Sequence, residues 1–188
     1  TRQIVLNTSS DILSEKDVRI ALQHATNKQN ISDGIFYGLE KPADTLFAST
    51  IPYCDIKLEP YAYNLELAGQ ILDDAGWKMG SGNVREKDGQ QLNIDLLYNS
   101  DSVTEKSIAE YLQSEYQSIG VSLNIHGEEE QSYRDNMKAG NFDMVFNICW
   151  GTPYDPQSSL AAMRAPVYGD FAAQQGLEDK AEIDDAIT

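Results

Sequence analysis

Apolar residues recur with a helical or an alternating phase along most of the chain, and the changes of phase mark the elements. Gln3 to Thr8 is a short apolar run that predicts a strand. Ser14-Glu15-Lys16-Asp17 follows as an approximate capping box, with Asp in place of the usual Glu or Gln. Val18, Ala21, Leu22 and Ala25 then fall at i, i+3, i+4 and i+7, which is one face of a helix. A second helix restarts at Asn27 or Lys28, carries Ile31, Ile35 and Phe36, and closes at Gly38. Asn64 caps a third, whose Ala68, Ile71, Leu72 and Ala75 share a face and which Gly76 ends.

Between the second and third helices the period is lost. Pro42, Pro52 and Pro60 interrupt residues 41–62, while Leu46, Phe47, Ile51, Tyr53 and Tyr61 keep the stretch sticky. An irregular segment of this length is expected to be functional or to pack across a sheet edge. Gly80-Ser81-Gly82-Asn83 predicts a turn, and Lys87-Asp88-Gly89-Gln90 a hairpin-type turn.

The second half is more regular. Leu92 to Tyr98 reads as a strand, and Ile108, Tyr111, Leu112 and Ile119 mark a helix that Gly120 ends. Val121, Leu123 and Ile125 alternate in the next strand, so the three elements form a βαβ crossover with parallel strands. Glu128 to Ala139 predicts another helix, stopped by Gly140. Phe142, Met144, Phe146 and Ile148 alternate in a strand that runs into Trp150. Beyond it the pattern weakens to loop, with a short helix around Ser158 to Met163 and helical character from Asp179 to Thr188. The expected architecture is α/β, a mixed sheet with flanking helices. Residues 1–188 read as a single lobe, without a linker and with a C-terminal helix that stops in mid-pattern, as in an excised fragment of a longer protein.

Charge narrows the partners. Lys and Arg number 14 against 30 Asp and Glu, and a formal net charge of -16 repels phosphate backbones and anionic membrane surfaces. Nucleic acid is excluded as a partner, and the spread of the acids along the chain points to solubility before a cationic ligand. No apolar run approaches the roughly 18 residues that a membrane span requires, so no membrane insertion by this segment is expected. Cys54 and Cys149 stand far apart and outside any CxxC pattern. They could pair in an oxidising compartment, but a core of this size does not require it, and free thiols are the expectation.

Catalytic patterns of the GxSxG, GxxxxGK[ST] and HExxH kind are absent from the sequence. His24 lies off the apolar face of its helix and His126 at a strand end, and neither has a second His or Cys at ligand spacing. Both read as surface histidines rather than metal ligands. Glu128-Glu129-Glu130 reads as a complement to a helix N-terminus rather than a cation site. Cys149 has no nearby base to make it a nucleophile. Chemistry concentrates instead in Trp150-Gly151-Thr152-Pro153-Tyr154-Asp155-Pro156, which follows the last strand. Ligand clefts of α/β domains commonly sit at strand carboxyl ends. Trp150 and Tyr154 offer flat, partly polar walls there; on residue chemistry alone the stretch is either a binding loop or an aromatic-packed structural turn.

WGTPYDP, then SSLAAMRAP and DFAAQQGL, resemble the nickel-binding members of the dipeptide, oligopeptide and nickel solute-binding family. The likeness extends upstream through VRIALQHATNK, ADTLFASTIPY, ILDDAGWKMGSGNVREKDGQQL and GEEE, and so covers nearly the whole chain in matching order. It implies one lobe of a two-lobed periplasmic-binding-protein fold, the second lobe (lobe II), with the facing lobe missing. It also implies a periplasmic or extracytoplasmic location, ABC permease subunits as partners, no enzymatic activity and no intrinsic cofactor. The implied ligand is nickel, carried in a small organic chelator, with a short peptide as the alternative. Peptide binders of the family typically carry an aspartate just before the tyrosine; here the position is Pro153, and Asp155 matches a structural aspartate. The resemblance makes Trp150 and Tyr154 walls of the site. Some nickel-binding members place a metal-touching histidine at the position of Tyr168, and a phenol is a poor neutral-pH ligand for nickel. The expected recognition is therefore of a fully chelated complex, with Tyr168 packing or hydrogen bonding and with no protein ligand to the metal.

Overall fold

Parallel pairing follows from element order, and the computed structural model, which describes residues 2–148 and 156–187, has it where the βαβ pattern requires. Strand β5 (Asn93–Asn99) runs into helix α4 (Val103–Ser118) and returns as β6 (Ser122–Glu128), paired in parallel with β5 from Asn93↔Ser122 to Asn99↔Glu128. Helix α5 (Glu130–Ala139) then leads to β7 (Met144–Ile148), which joins the other side of β5, again in parallel. The first strand, β1 (Arg2–Leu6), lies antiparallel on β7, so the main sheet is mixed, with order β1-β7-β5-β6.

Both faces of the sheet are covered. Helices α1 (Lys16–His24), α2 (Lys28–Ile35), α3 (Leu65–Asp74) and α4 pack on one face, over Ile94, Leu96, Leu123, Met144 and Phe146. Helix α5 and the short α7 (Gly169–Ala173) cover the other, where Leu97, Val145, Tyr133, Phe142 and Ala173 form a smaller core. Two further helices, α6 (Pro156–Ala162) and α8 (Lys180–Ala186), complete the described chain. The alternation Leu96 up, Leu97 down in β5 is what feeds both cores.

The predicted helix faces are the buried ones: Val18, Ala21, Ala25, Ala68 and Leu72 are fully buried and Leu22 nearly so. Asn27 and Asn64 cap α2 and α3 by accepting from the N–H groups of Asn30 and Leu67. The capping box at Ser14 does not form. Helix α1 starts two residues later, with Glu15 at its N-cap, and the Ser14 hydroxyl donates to the Asp11 carbonyl instead. Glu15 is drawn away by its partners: it accepts from Lys87 at 2.8 Å and from the Trp77 indole at 3.3 Å.

A second sheet of three short strands, β2 (Lys78–Met79), β3 (Arg85–Lys87) and β4 (Gln90–Gln91), includes the hairpin expected at Lys87–Gln90. Asp88 and Gly89 both have positive φ, 52° and 82°, as a two-residue primed turn demands. The 80–83 turn is a 3-10 turn with Gly82 in the left-handed region. The irregular segment 41–62 has no helix or strand. It is tied down by Ser32, whose hydroxyl donates to the Glu40 carbonyl at 2.5 Å, by Lys28 on Ala43 and Asp44, and by His24 on Ala62. Tyr53, at its tip, is 97% exposed, while Cys54 beside it is a buried free thiol.

Candidate functional site

The winding of the main sheet marks one place as the natural crevice. The chain leaves β5 toward α4 on one face, whereas the segment after β7 returns through α7 on the other face. Adjacent parallel strands whose exits diverge in this way leave a gap outside their carboxyl ends. By that rule the crevice is expected between Asn99 at the end of β5 and Asn147–Ile148 at the end of β7. The strand that supplies one of its walls leads directly into Trp150. Trp150, Tyr154, Pro153, Asp155 and Cys149 lie outside the described residues.

Asn99 organises the β5 side. Its N–H donates to the Glu105 carboxylate at 2.9 Å, its side-chain amide donates to Glu130, and its side-chain oxygen accepts from the Asp101 N–H. Glu105 is a buried carboxylate, and burial pushes its pKa up, with nearby Glu130 adding to the shift and the Asn99 N–H and Arg2 opposing it. A raised folded pKa means that the stabilising contribution is complete below the unfolded pKa and is lost as pH rises through the folded one. Glu105→Gln cannot ionise and keeps an acceptor for Asn99. Its stability relative to the parent is therefore expected to improve steadily from pH 4 to pH 7, read from urea midpoints across that range.

The β7 side is built by three polar residues distant in sequence. Gln3 of β1 and Asn147 of β7 are directly paired across the antiparallel ladder. Their side-chain amides converge on one carboxylate: Gln3 Nε2 donates to Asp170 Oδ1 at 2.8 Å and Asn147 Nδ2 to Asp170 Oδ2 at 2.5 Å. Asp170 sits in the first turn of α7, half-buried, and desolvation raises its pKa against those two bonds. Gly169 before it packs so closely on α5 that an added Cβ would lie 2.8 Å from Met137 Cγ. Tyr168 is the N-cap of α7, extended in backbone and 50% exposed. The structure thus places Tyr168 next to a fixed point at the carboxyl end of the sheet, beside the strand that runs to Trp150.

The remaining candidates have quieter roles. His24 Nδ1 is 2.7 Å from the Ala62 carbonyl and its ring meets Tyr61 edge-on at 5.4 Å, so it anchors the irregular segment. His126 lies within β6, not at its end, and its Nε2 is 3.2 Å from Asp95. The three glutamates do not all begin a helix: Glu128 closes β6 and accepts from Ser132 and Asn136, Glu129 is the N-cap without a side-chain bond, and Glu130 pairs with Arg134 and Asn99. Among the described residues no group of three His, Cys, Asp or Glu side chains is placed to hold a metal ion. A cavity of about 590 Å³ lies under the irregular segment, floored by Leu22, Ile31, Phe36, Leu112, Tyr116 and Phe146. Its floor is apolar, and of the polar groups of the crevice only Gln3 lines it, while Asn99, Asn147 and Asp170 do not. We therefore place the candidate site at the sheet's carboxyl end. Sequence periodicity holds no hint of the Gln3–Asn147–Asp170 cluster; only the β1–β7 register brings it together.

The family profile "Bacterial extracellular solute-binding proteins, family 5 Middle" matches residues 1–170. Over all 188 residues the chain is 42% identical to the nickel-binding periplasmic protein of Escherichia coli K12, of which it covers 36%. It is 32% identical over 183 residues to the oligopeptide-binding protein OppA of Mycobacterium tuberculosis H37Rv, covering 94% of this chain and 30% of that one. NikA from Brucella suis, solved in complex with Fe(III)-EDTA, superposes with a TM-score of 0.94 at 44% identity, over 100% of this chain and 38% of NikA. NikZ from Campylobacter jejuni, solved in complex with Ni(L-His), shares the fold with a TM-score of 0.82 at 22% identity, over 99% of this chain and 38% of NikZ. The chain thus spans well under half the length of these relatives. No helix of the described residues is long and apolar enough to cross a membrane. The chain belongs to family 5 of the bacterial extracellular solute-binding proteins, a family of ligand binders rather than enzymes.

Proposed function

We propose that residues 1–188 form one lobe of a two-lobed extracytoplasmic protein that captures nickel as a small organic chelate and delivers it to an ABC permease. The observation that carries this reading is the 42% identity to a nickel-binding periplasmic protein over all 188 residues. The ligand would occupy the crevice at the carboxyl ends of β5 and β7. Trp150 and Tyr154 would wall it, and Tyr168 would close its side from α7. A chelator that fills the metal's coordination sphere turns the problem into small-molecule recognition, for which aromatic walls and a few polar groups suffice. Tyr168 suits that task, because a neutral phenol packs and hydrogen bonds but binds nickel poorly at neutral pH. The facing lobe would supply the other half of the contacts, and closure would generate the form that the permease recognises.

Calorimetric titration of the full-length protein with nickel alone, with nickel and L-histidine, and with a dipeptide panel tests the reading. Binding of nickel only when histidine is present is the expected result. Trp150→Ala should weaken it about 10- to 100-fold, the equivalent of losing a buried aromatic wall worth about 1.5–3 kcal/mol. Tight dipeptide binding with no response to nickel would overturn it in favour of a short peptide, the ligand class named for relatives such as OppA at 32% identity.

A further inference from the structure

We infer that Asp170 is a positioning residue for the ligand site, holding Tyr168 at the mouth of the crevice through a clamp that ties α7 to two strands at once. The inference rests on the binding site proposed above and extends it to residues that touch no ligand. Gln3 and Asn147 face each other across β1 and β7, so their side chains emerge together on the face that α7 covers. Each offers an amide NH2, and each finds a different oxygen of the same carboxylate. An ionised carboxylate accepts from both amides as they stand, whereas an amide at 170 would present one oxygen and one NH2, so one of its two partners would have to turn its own oxygen inward. Partial burial adds to the preference, because water reaches an unmatched polar group here only in part.

The clamp fixes Tyr168 because nothing soft lies between them. Gly169 is buried against Met137 and Val145 with no room for a side chain, so the two residues after Tyr168 are both immobilised. The Tyr168 side chain is half exposed and, among the described residues, has no hydrogen bond that would orient it independently of its backbone. What Gly169 and Asp170 fix is therefore the backbone at 168, and with it the Cα–Cβ direction from which the ring's rotamers reach the crevice. A ring that serves as a wall has to be in place before the ligand arrives, since ordering it on binding subtracts from affinity.

Reversing the polarity of the clamp distinguishes positioning from general stability. In the full-length protein, Asp170→Asn should lower affinity for nickel with L-histidine about tenfold, and Gln3→Ala, which removes one arm, about threefold. Adding Gln3→Glu to Asp170→Asn restores a matched set, with the introduced amide donating to the introduced carboxylate and its oxygen accepting from Asn147. Affinity should return to within about threefold of the parent. In a Tyr168→Ala background the Asp170→Asn change should matter less than about twofold, because its effect runs through the ring. Fluorine NMR of the protein carrying 3-fluorotyrosine supplies a readout without ligand: one sharp Tyr168 resonance in the parent and in the rescued double variant, broadened or split in Asp170→Asn. An undiminished effect of Asp170→Asn without the Tyr168 ring, or a Tyr168 resonance that ignores the substitution, would overturn the assignment. Failure of the parent to bind nickel with histidine would sink the ligand reading alone, leaving the fluorine signal to decide the clamp.

Discussion

Arg85→Met is expected to remove about 3 kcal/mol of folding stability, the largest effect of any single change in the region around α3 and the small sheet. Arg85 is 5% exposed and spends its guanidinium on four acceptors. Nε donates to the Ile119 carbonyl at 2.7 Å, one terminal nitrogen to the Trp77 carbonyl at 2.6 Å and to Asp73 at 2.8 Å, and the other to the Gly69 carbonyl at 3.2 Å. These acceptors lie on α3, on the turn that follows it and at the end of α4, so one side chain joins three pieces of chain. Methionine fills the channel taken by the arginine stem but leaves the carbonyls without donors in a buried setting. Asp73 is exposed enough to be hydrated, so most of the loss comes from the carbonyls and not from a stranded charge. Arg85→Lys should fall between, because an ammonium cannot reach acceptors spread around a planar fork. Urea midpoints rank the three proteins. The hydrogen bond from Arg85 holds the Asp73 carboxyl below its usual range, so the Asp73 titration followed by NMR should move upward in Arg85→Met. A midpoint change worth less than about 1 kcal/mol would mean that water replaces the guanidinium without difficulty.

What is legible in the sequence, and what is hidden, follows from how local each signal is. Helices α1, α3 and α4 are readable because burial follows a period of 3.6 and, for α3 and α4, the glycine stops are written next to them; Gly76 and Gly120 have φ of 92° and 82°. The β5-α4-β6 crossover is readable for the same reason. The capping box does not form because a matching residue type says nothing of competing partners: the Ser14 hydroxyl donates to the Asp11 carbonyl, and the helix begins after Glu15, whose carboxylate is taken up by Lys87 and Trp77, more than sixty residues away. Strands β2 and β4 are two residues long with exposed side chains, so no alternation exists to find; their place is set by pairing and by Arg85. Helix α7 leaves no periodic trace because five residues hold barely one turn of pattern, and its stability comes from contacts with α5, β1 and β7. The candidate site divides along the same line. Trp150 and Tyr154 stand out as aromatics after an apolar strand, and Tyr168 through resemblance alone. Gln3, Asn147 and Asp170 are individually ordinary residues whose meeting depends on the Gln3↔Asn147 register, a long-range fact.

Gly176→Ala should detach the C-terminal end of α7 from β1 at a cost of about 3 kcal/mol, through crowding alone. A Cβ at position 176 would lie 2.1 Å from the Thr8 carbonyl oxygen and 2.4 Å from its carbon. Both are backbone atoms, so no rotamer change relieves the contact. Thr8 cannot retreat either, because its N–H donates to the Ala173 carbonyl at 2.8 Å and its hydroxyl donates to the same oxygen at 2.6 Å while accepting from the Gly176 N–H at 3.0 Å. Asn7 beside it is held by the carbonyls of Gly140 and Phe142. The substitution must therefore separate the 173–177 turn from the exit of β1. Hydrogen exchange should lose protection at the amides of Thr8 and Gly176 while those of β5 and β6, in the main sheet, keep theirs. The Asp170 clamp lies a full turn away and should still hold the first turn of α7, so affinity for nickel with L-histidine is expected to fall only about threefold despite the stability loss. Were affinity to collapse while Thr8 stayed protected, the turn at Gly176 rather than the clamp at Asp170 would be what presents Tyr168, and the division of labour along α7 would have to be reversed.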